Sequence, residues 1–358
     1  MAWTLKKYIT SIIFWLVFSF GILYFPLLLK FKNEDVRALN VFMWAGVVDP
    51  QVFTQFTQET GIPVNVSHYE GNEELLVKLL ATKGQGYDMV VPSDYVVDYL
   101  RKNNVLAKID KSKLNFYEKL NPKFMGHYYD PNNDYSIPSE WYVLGLGYLK
   151  KDFPHGLPQR SWGMIFDPAL MPAKIGLIND SRELISLGMW YKYHDVRPIN
   201  AEEVQVLKKM LVEQKRHAEA YTDFRGDFLL QSGNCSIVTA SCASMWKIVK
   251  ESDHLGFEMP DDGVFLNIEN YVIPAACKQV DKVYQLINFL FRPDIQEHNF
   301  NNCLLLSTRA DADFMFNEPA LAPVIRFIHP KSELSVMLFE NKLSDEQVNE
   351  IWLSTKGE

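Results

Sequence analysis

The chain reads as an α/β protein. Strand-like and helix-like patterns alternate from Leu39 onward, the alternation resumes beyond a turn-rich stretch at 128–138, and one strand ends in a cluster of polar groups where ligands of such sheets are usually held. In chain order, "LNVFMW" (39–44) reads as a strand. Asp49-Pro50 opens a helix with Val52, Phe53 and Phe56 on one face and Gly61 as its stop. "PVNVSHY" (63–69) is the next strand, and "NEELLVKLLATKG" a helix with Leu75, Leu76, Leu79 and Leu80 at helical spacing, ending at Gly84. "YDMVV" and a helix from Asp94 to Asn103 complete a strand–helix unit repeated three times, for which a parallel sheet with strand 1 between strands 2 and 3 is expected.

The third strand runs into Pro92, Ser93, Asp94 and Tyr95. With that strand order, the corner faces Trp44 across a crevice at the carboxyl ends of the strands. Ser93 or Asp94 also suits a helix cap, which accounts for neither Tyr95 nor Trp44.

Beyond "YYDPNNDYSIP" the second half predicts a strand at "KIGLI" (174–178) and a helix over Asp180–Lys192. A helix over Glu202–His217 follows, with Val206, Leu207, Met210 and Leu211 as its stripe. "CSIVTA" (235–240) and "NYVIPAA" (270–276) read as strands, and Cys242–Glu251, Lys282–Phe291 and Pro293–Asn301 as helices. Ser344 with Gln347 forms a capping box and Leu343 with Val348 a hydrophobic staple for the last helix.

The 358 residues, 47% apolar and 22% charged, suffice for two cores. Lys6, Lys7, Lys30 and Lys32 are the charged residues of the first 32, so of 36 basic and 44 acidic groups the remainder keeps 32 and 44, a net charge of −12. That sign disfavours nucleic acid and favours a cationic partner. Tyr8 to Leu29 is uncharged and, at about 1.5 Å per residue, spans a hydrocarbon layer of about 30 Å. Residues 1–32 are therefore a signal peptide or a membrane anchor. Their length favours an uncleaved anchor, with the rest of the chain exported.

Cys235, Cys242, Cys277 and Cys303 match no zinc spacing, and whether Cys235 and Cys242 pair stays open. No phosphate loop, zincin helix, nucleophile elbow or Cys-x-x-Cys occurs, so neither catalysis nor a metal or cofactor is expected. "LINDSREL" (177–184) puts Asp180 and Glu183 at a strand end and helix start. They can serve as a capping box or as anionic partners for a cation held opposite the rings of Trp44 and Tyr95.

"FMW", "YEGNEELLVKL", "YDMVVPSDYVVDYLRK", "IDKSKL", "DPNNDYSIP", "LINDSRE" and "INFLFRPD", in this order over about residues 39–310, resemble the polyamine-binding periplasmic proteins of bacterial ABC transporters. The resemblance implies a type II periplasmic binding fold, two discontinuous α/β lobes with a hinge and an interlobe cleft. Lobe 1 is expected over 38–143 plus 268–315, and lobe 2 over 144–267 plus 316–358. It also implies a monomer that captures putrescine or spermidine in the periplasm and delivers it to an inner-membrane permease. Another cationic amine, or an anchored sensor with a protein partner, are the alternatives.

By position, the resemblance makes Trp44, Ser93, Tyr95, Asp180 and Glu183 ligand-binding residues, with Glu269 where the family holds an amine on an aspartate. The family's other cage rings fall at Val47, Ser241, Asn267 and Leu304, none of which is aromatic.

Overall fold

The computed structural model describes residues 15, 18–20, 38–222, 226–328, 337–340 and 342–357. The expected anchor at 8–29 lies outside them, apart from Trp15 and 18–20, which are helical. Among the described residues no helix is long and apolar enough to cross a membrane.

Strand β1 (Leu39–Trp44) is buried on both faces, which is what a central parallel strand needs. It pairs in parallel with β2 (Val64–Tyr69) and β3 (Met89–Val90), giving the expected order β2-β1-β3. Leu39, Val41 and Met43 pack on α1 (Pro50–Thr60), while Phe42 and Trp44 pack on α2 (Asn72–Thr82) and α3 (Asp94–Lys102). Asp49 caps α1 and Gly61 ends it at φ 71°, as the pattern predicts. On α2 the buried face is narrower than expected: Leu75 and Leu79 are inside and Leu80 is exposed.

The second sheet has seven strands in the order β10-β9-β4-β7-β5-β6, with β8 also on β4. Its centre is β4 (Ile137–Leu149), a 13-residue strand that the sequence pattern did not announce. The first half of β4 pairs antiparallel with β9 (Phe265–Tyr271). Its second half pairs with β7 (Ile237–Ser241) and β8 (Leu255–Glu258). Gly145 and Gly147 permit this: a Cβ on them would lie 2.5 Å from the Phe257 ring and 2.7 Å from Met245 Cε.

Strand β9 begins five residues before the expected 270–276. From Val272 to Ala276 the chain makes only isolated bridges, Val90↔Val272 and Leu106↔Pro274, and Pro274 has no N–H to extend a ladder. Strands β5 (Ile175–Leu177), β6 (Ala218–Tyr221) and β10 (Met337–Leu338) complete the sheet.

Helices α4 (Gly163–Phe166), α5 (Ser181–Tyr193), α6 (Ala201–Lys215) and α13 (Asp345–Gly357) cover one side of this sheet, with α7 (Gly226–Gln231) and α8 (Cys242–Glu251) packed on it nearby. Helices α9 (Val280–Leu290), α10 (Pro293–Cys303), α11 (Asp313–Phe316) and α12 (Ala322–Ile328) close the assembly. On α6 the buried stripe is Val204, Leu207 and Leu211, and Val206 is exposed. The Ser344–Gln347 capping box is present in both directions. Cys235 and Cys242 are separate buried thiols.

A second capping box holds the start of α6. Asn200 Oδ1 accepts the Glu203 N–H at 3.0 Å, and Glu203 Oε2 accepts the Asn200 N–H at 3.0 Å. Asn200→Ala is expected to lower the urea midpoint by the equivalent of about 1 kcal/mol with an unchanged m-value. An unchanged midpoint would show the cap to be idle.

Candidate functional site

A cavity of about 510 Å³ opens between the two sheets. Its wall takes the residues after β1, the start of α2, the middle of β4, the β5–α5 corner, the starts of α7 and α8, β9, and the end of α10. Six carboxylates line it, Glu73, Glu140, Asp180, Glu183, Asp227 and Glu269, and no lysine, arginine or histidine is among the described lining residues. The rings of Trp44, Trp141 and Tyr142 share the wall.

Asp180 is aimed by the helix it starts. As N-cap of α5 its Oδ1 accepts the N–H groups of Arg182 and Glu183 at 2.9 and 3.0 Å. That leaves Oδ2 turned to the first sheet, where Tyr95 Oη donates at 2.5 Å and Asn72 Nδ2 at 3.3 Å. Capping and cavity-facing are thus one arrangement. Ser181 Oγ donates to Glu73 Oε1 at 3.2 Å, a second link between the same two helix starts.

Ser93 departs from the local rule. It occupies the N-cap position of α3 yet makes no side-chain cap bond. Its Oγ instead donates to Glu269 Oε1 at 2.7 Å, and the Trp44 indole Nε1 donates to Oε2 at 3.2 Å. The crevice expected at the ends of β1 and β3 therefore exists, and Glu269 fills its floor. Trp44 is itself fixed against Tyr69, ring centroids 4.3 Å apart.

Of the six residues singled out by sequence, Trp44, Asp180, Glu183 and Glu269 line the cavity. Ser93 and Tyr95 are buried one layer behind, holding Glu269 and Asp180 respectively. Val47, Ser241 and Leu304 are on the wall, and Asn267 is buried beside Tyr142 on the adjoining strand. Sequence reasoning missed Asn72, Glu73, Glu140 and Asp227. For Asn72 and Glu73 the signal was the polar first turn of α2, directly after a strand. Glu140 offered none short of the pairing of β4.

Taking carboxylates out of water without a counter-charge raises their pKa. Burial pushes Glu269 up to about 7, against the bonds from Ser93 and Trp44 that pull it down. Burial raises Glu140 well above the carboxylate range, with the charge of Glu269 adding. Burial and then the neighbouring Asp180 raise Glu73. Such a site is complementary to a multiply charged cation able to donate several hydrogen bonds. Each charge-assisted bond is worth roughly 1.5–3 kcal/mol. Among the described residues no group of three or more His, Cys, Asp and Glu has the geometry to hold a metal ion.

Residues 51–313 match the family of bacterial extracellular solute-binding proteins. The chain is 30% identical over 262 residues to the spermidine/putrescine-binding periplasmic protein of Escherichia coli (strain K12), covering 73% of this chain and 75% of that one. It is 24% identical over 349 residues to the putrescine-binding periplasmic protein PotF of the same organism, covering 90% and 92%. A solved structure from Listeria monocytogenes, assigned to spermidine/putrescine ABC transport, superposes with a TM-score of 0.79 at 27% identity, over 89% of this chain and 99% of that one. The two-sheet architecture with strands crossing beside a cleft is the type II periplasmic binding fold. The chain therefore belongs to the bacterial extracellular solute-binding proteins, which bind their targets rather than transform them.

Proposed function

We propose that the chain is the substrate-binding component of an ABC transporter, capturing a polyamine in the periplasm and delivering it to an inner-membrane permease. The observation that carries this reading is the lining of the cavity, six carboxylates with no cationic side chain among its described residues. Burying carboxylates such as Glu140, Glu183 and Glu269 without a positive side chain in the described lining costs several kcal/mol, and an oligoammonium ligand offsets that cost while its methylenes rest against Trp44, Trp141 and Tyr142. Relatives named for spermidine and putrescine binding support the same ligand class.

In this reading Trp44, Asp180, Glu183 and Glu269 touch the ligand, and Ser93 and Tyr95 position two of them. Lobes made of 38–143 plus 268–315 and 144–267 plus 316–358 close on it. A monomer, tethered to the inner membrane by residues 8–29, presents the closed lobes to the permease.

Calorimetric titration of the purified full chain with spermidine and with putrescine tests this. Saturable heat and a raised melting temperature are expected. No heat and no thermal shift at millimolar amine would refute the polyamine reading.

A second reading, a cationic amine recognised by charge more than by ring contact, is favoured by the aliphatic and polar wall at Val47, Ser241 and Leu304. Each missing ring forfeits about 0.5–2 kcal/mol of cation–π attraction. Ser241→Trp is accordingly expected to tighten putrescine binding by a few-fold to about tenfold. An unchanged Kd would mean that the amine does not pass this wall.

A further inference from the structure

Glu140 belongs to no motif of the sequence, yet the fold gives it a place at the site. It stands on β4 directly opposite Glu269 on β9, and the ladder shifts register between Pro138 and Glu140. Such irregularities re-aim side chains beside functional sites. Both carboxyls line the same cavity, and the residues are 8% and 2% exposed. Glu269 has the donated bonds of Ser93 and Trp44. Glu140 is offset by neither a hydrogen-bond donor nor a cation among the described residues. The ionisable groups facing the pair are the phenols of Tyr69, Tyr129, Tyr142 and Tyr271 and the carboxyl of Asp94, none of them a positive charge.

Like charges opposite one another on adjacent strands repel, and two buried carboxyls at that spacing do not both ionise unaided. We propose that Glu140 is a ligand-binding residue that forms with Glu269 a two-carboxyl seat for one ammonium group, the pair sharing one proton without ligand and releasing it when the ammonium arrives. The inference rests on the cationic-amine reading above. The ligand arrives already protonated, the pair passes from one negative charge to two, and a single proton leaves to the buffer with no covalent bond made. Burial raises both carboxyls and the charge of Glu269 raises Glu140 further, in the same sense.

The test is calorimetry of the full chain with putrescine and spermidine at pH 7, in two buffers of different ionisation enthalpy. The wild type is expected to release about one proton per ligand. Glu140→Gln is expected to bind about tenfold or more weakly and to release only about half as much, from Glu269 alone. Unchanged affinity with unchanged proton release in that variant would overturn the proposal.

A second measurement does not need the ligand. The infrared carbonyl band of protonated carboxyl is expected in the unliganded chain at pH 7 and is expected to weaken in Glu140→Gln, with the part due to buried Asp94 remaining. Its absence from the wild type would overturn the shared proton. A wild type that takes neither amine refutes the polyamine reading instead, and the infrared band then decides the pair by itself.

Discussion

Asp180→Ala is expected to weaken polyamine binding about 100-fold or more and to destabilise the protein by about 1–2 kcal/mol. Three losses coincide. The ligand loses a charged acceptor, at roughly 1.5–3 kcal/mol. Tyr95 Oη and Asn72 Nδ2 lose an acceptor they share across the two sheets. The first turn of α5 loses the cap on the Arg182 and Glu183 N–H groups, about 1 kcal/mol. Asp180→Asn separates these effects, because asparagine caps as well as aspartate but brings no charge. It is expected to keep the cap and so to lower the urea midpoint less than Asp180→Ala does, its single oxygen no longer serving both the cap and the donors Tyr95 Oη and Asn72 Nδ2, while losing most of the affinity measured by calorimetry. Wild-type affinity in Asp180→Asn would remove Asp180 from the ligand's partners.

The second large effect is on stability and pH. Glu269 has a pKa of about 7 in the fold against 4.5 for the free side chain, so the fold prefers its neutral form. A raised carboxyl contributes stability that is fully present below the unfolded value, declines as pH rises from about 4.5, and is gone above about 7. On a scale of about 1.4 kcal/mol per pKa unit the amount at stake is about 3 kcal/mol. Glu140 and Glu73, raised by the same burial, act in the same direction.

Without ligand, the wild type is therefore expected to unfold more readily at pH 8 than at pH 5. Glu269→Gln should be flatter with pH and more stable than the wild type at pH 8. The gain is expected to be about 2 kcal/mol rather than 3, because one amide oxygen replaces the two acceptors used by Ser93 and Trp44. Urea denaturation at both pH values reads this directly, and a variant with the wild-type pH profile would show Glu269 to be ionised in the fold throughout.

Much of this was legible in the residues, for identifiable reasons. The β1-α1-β2-α2-β3-α3 unit is built from local signals, namely the apolar runs, the Asp49-Pro50 start and the Gly61 stop. Crossover geometry then leaves few ways to order its strands. Asp180 was readable because one residue satisfies a local rule and a distant one together. Ser93 shows where such reading fails: position favours a cap, but its hydroxyl is taken by Glu269, a partner 176 residues away. On α6, apolar residues at 204, 206, 207, 210 and 211 offer two overlapping stripes, and packing chooses the one with Val204. The antiparallel ladder of β4 with β9 joins residues more than a hundred positions apart, with no turn to announce it. Glu140 stayed hidden for that reason.

One consequence concerns the order of events. Glu140 and Glu269 face one another on one rung of a single ladder, so in the proposed closure a swing of one lobe against the other leaves their separation alone. Asp180 and Tyr95 meet across the opening, and the same swing parts them. In the proposed reading a charged guest is met first at the pivot and clasped afterwards at the rim, a sequence in time set by the topology of two strands.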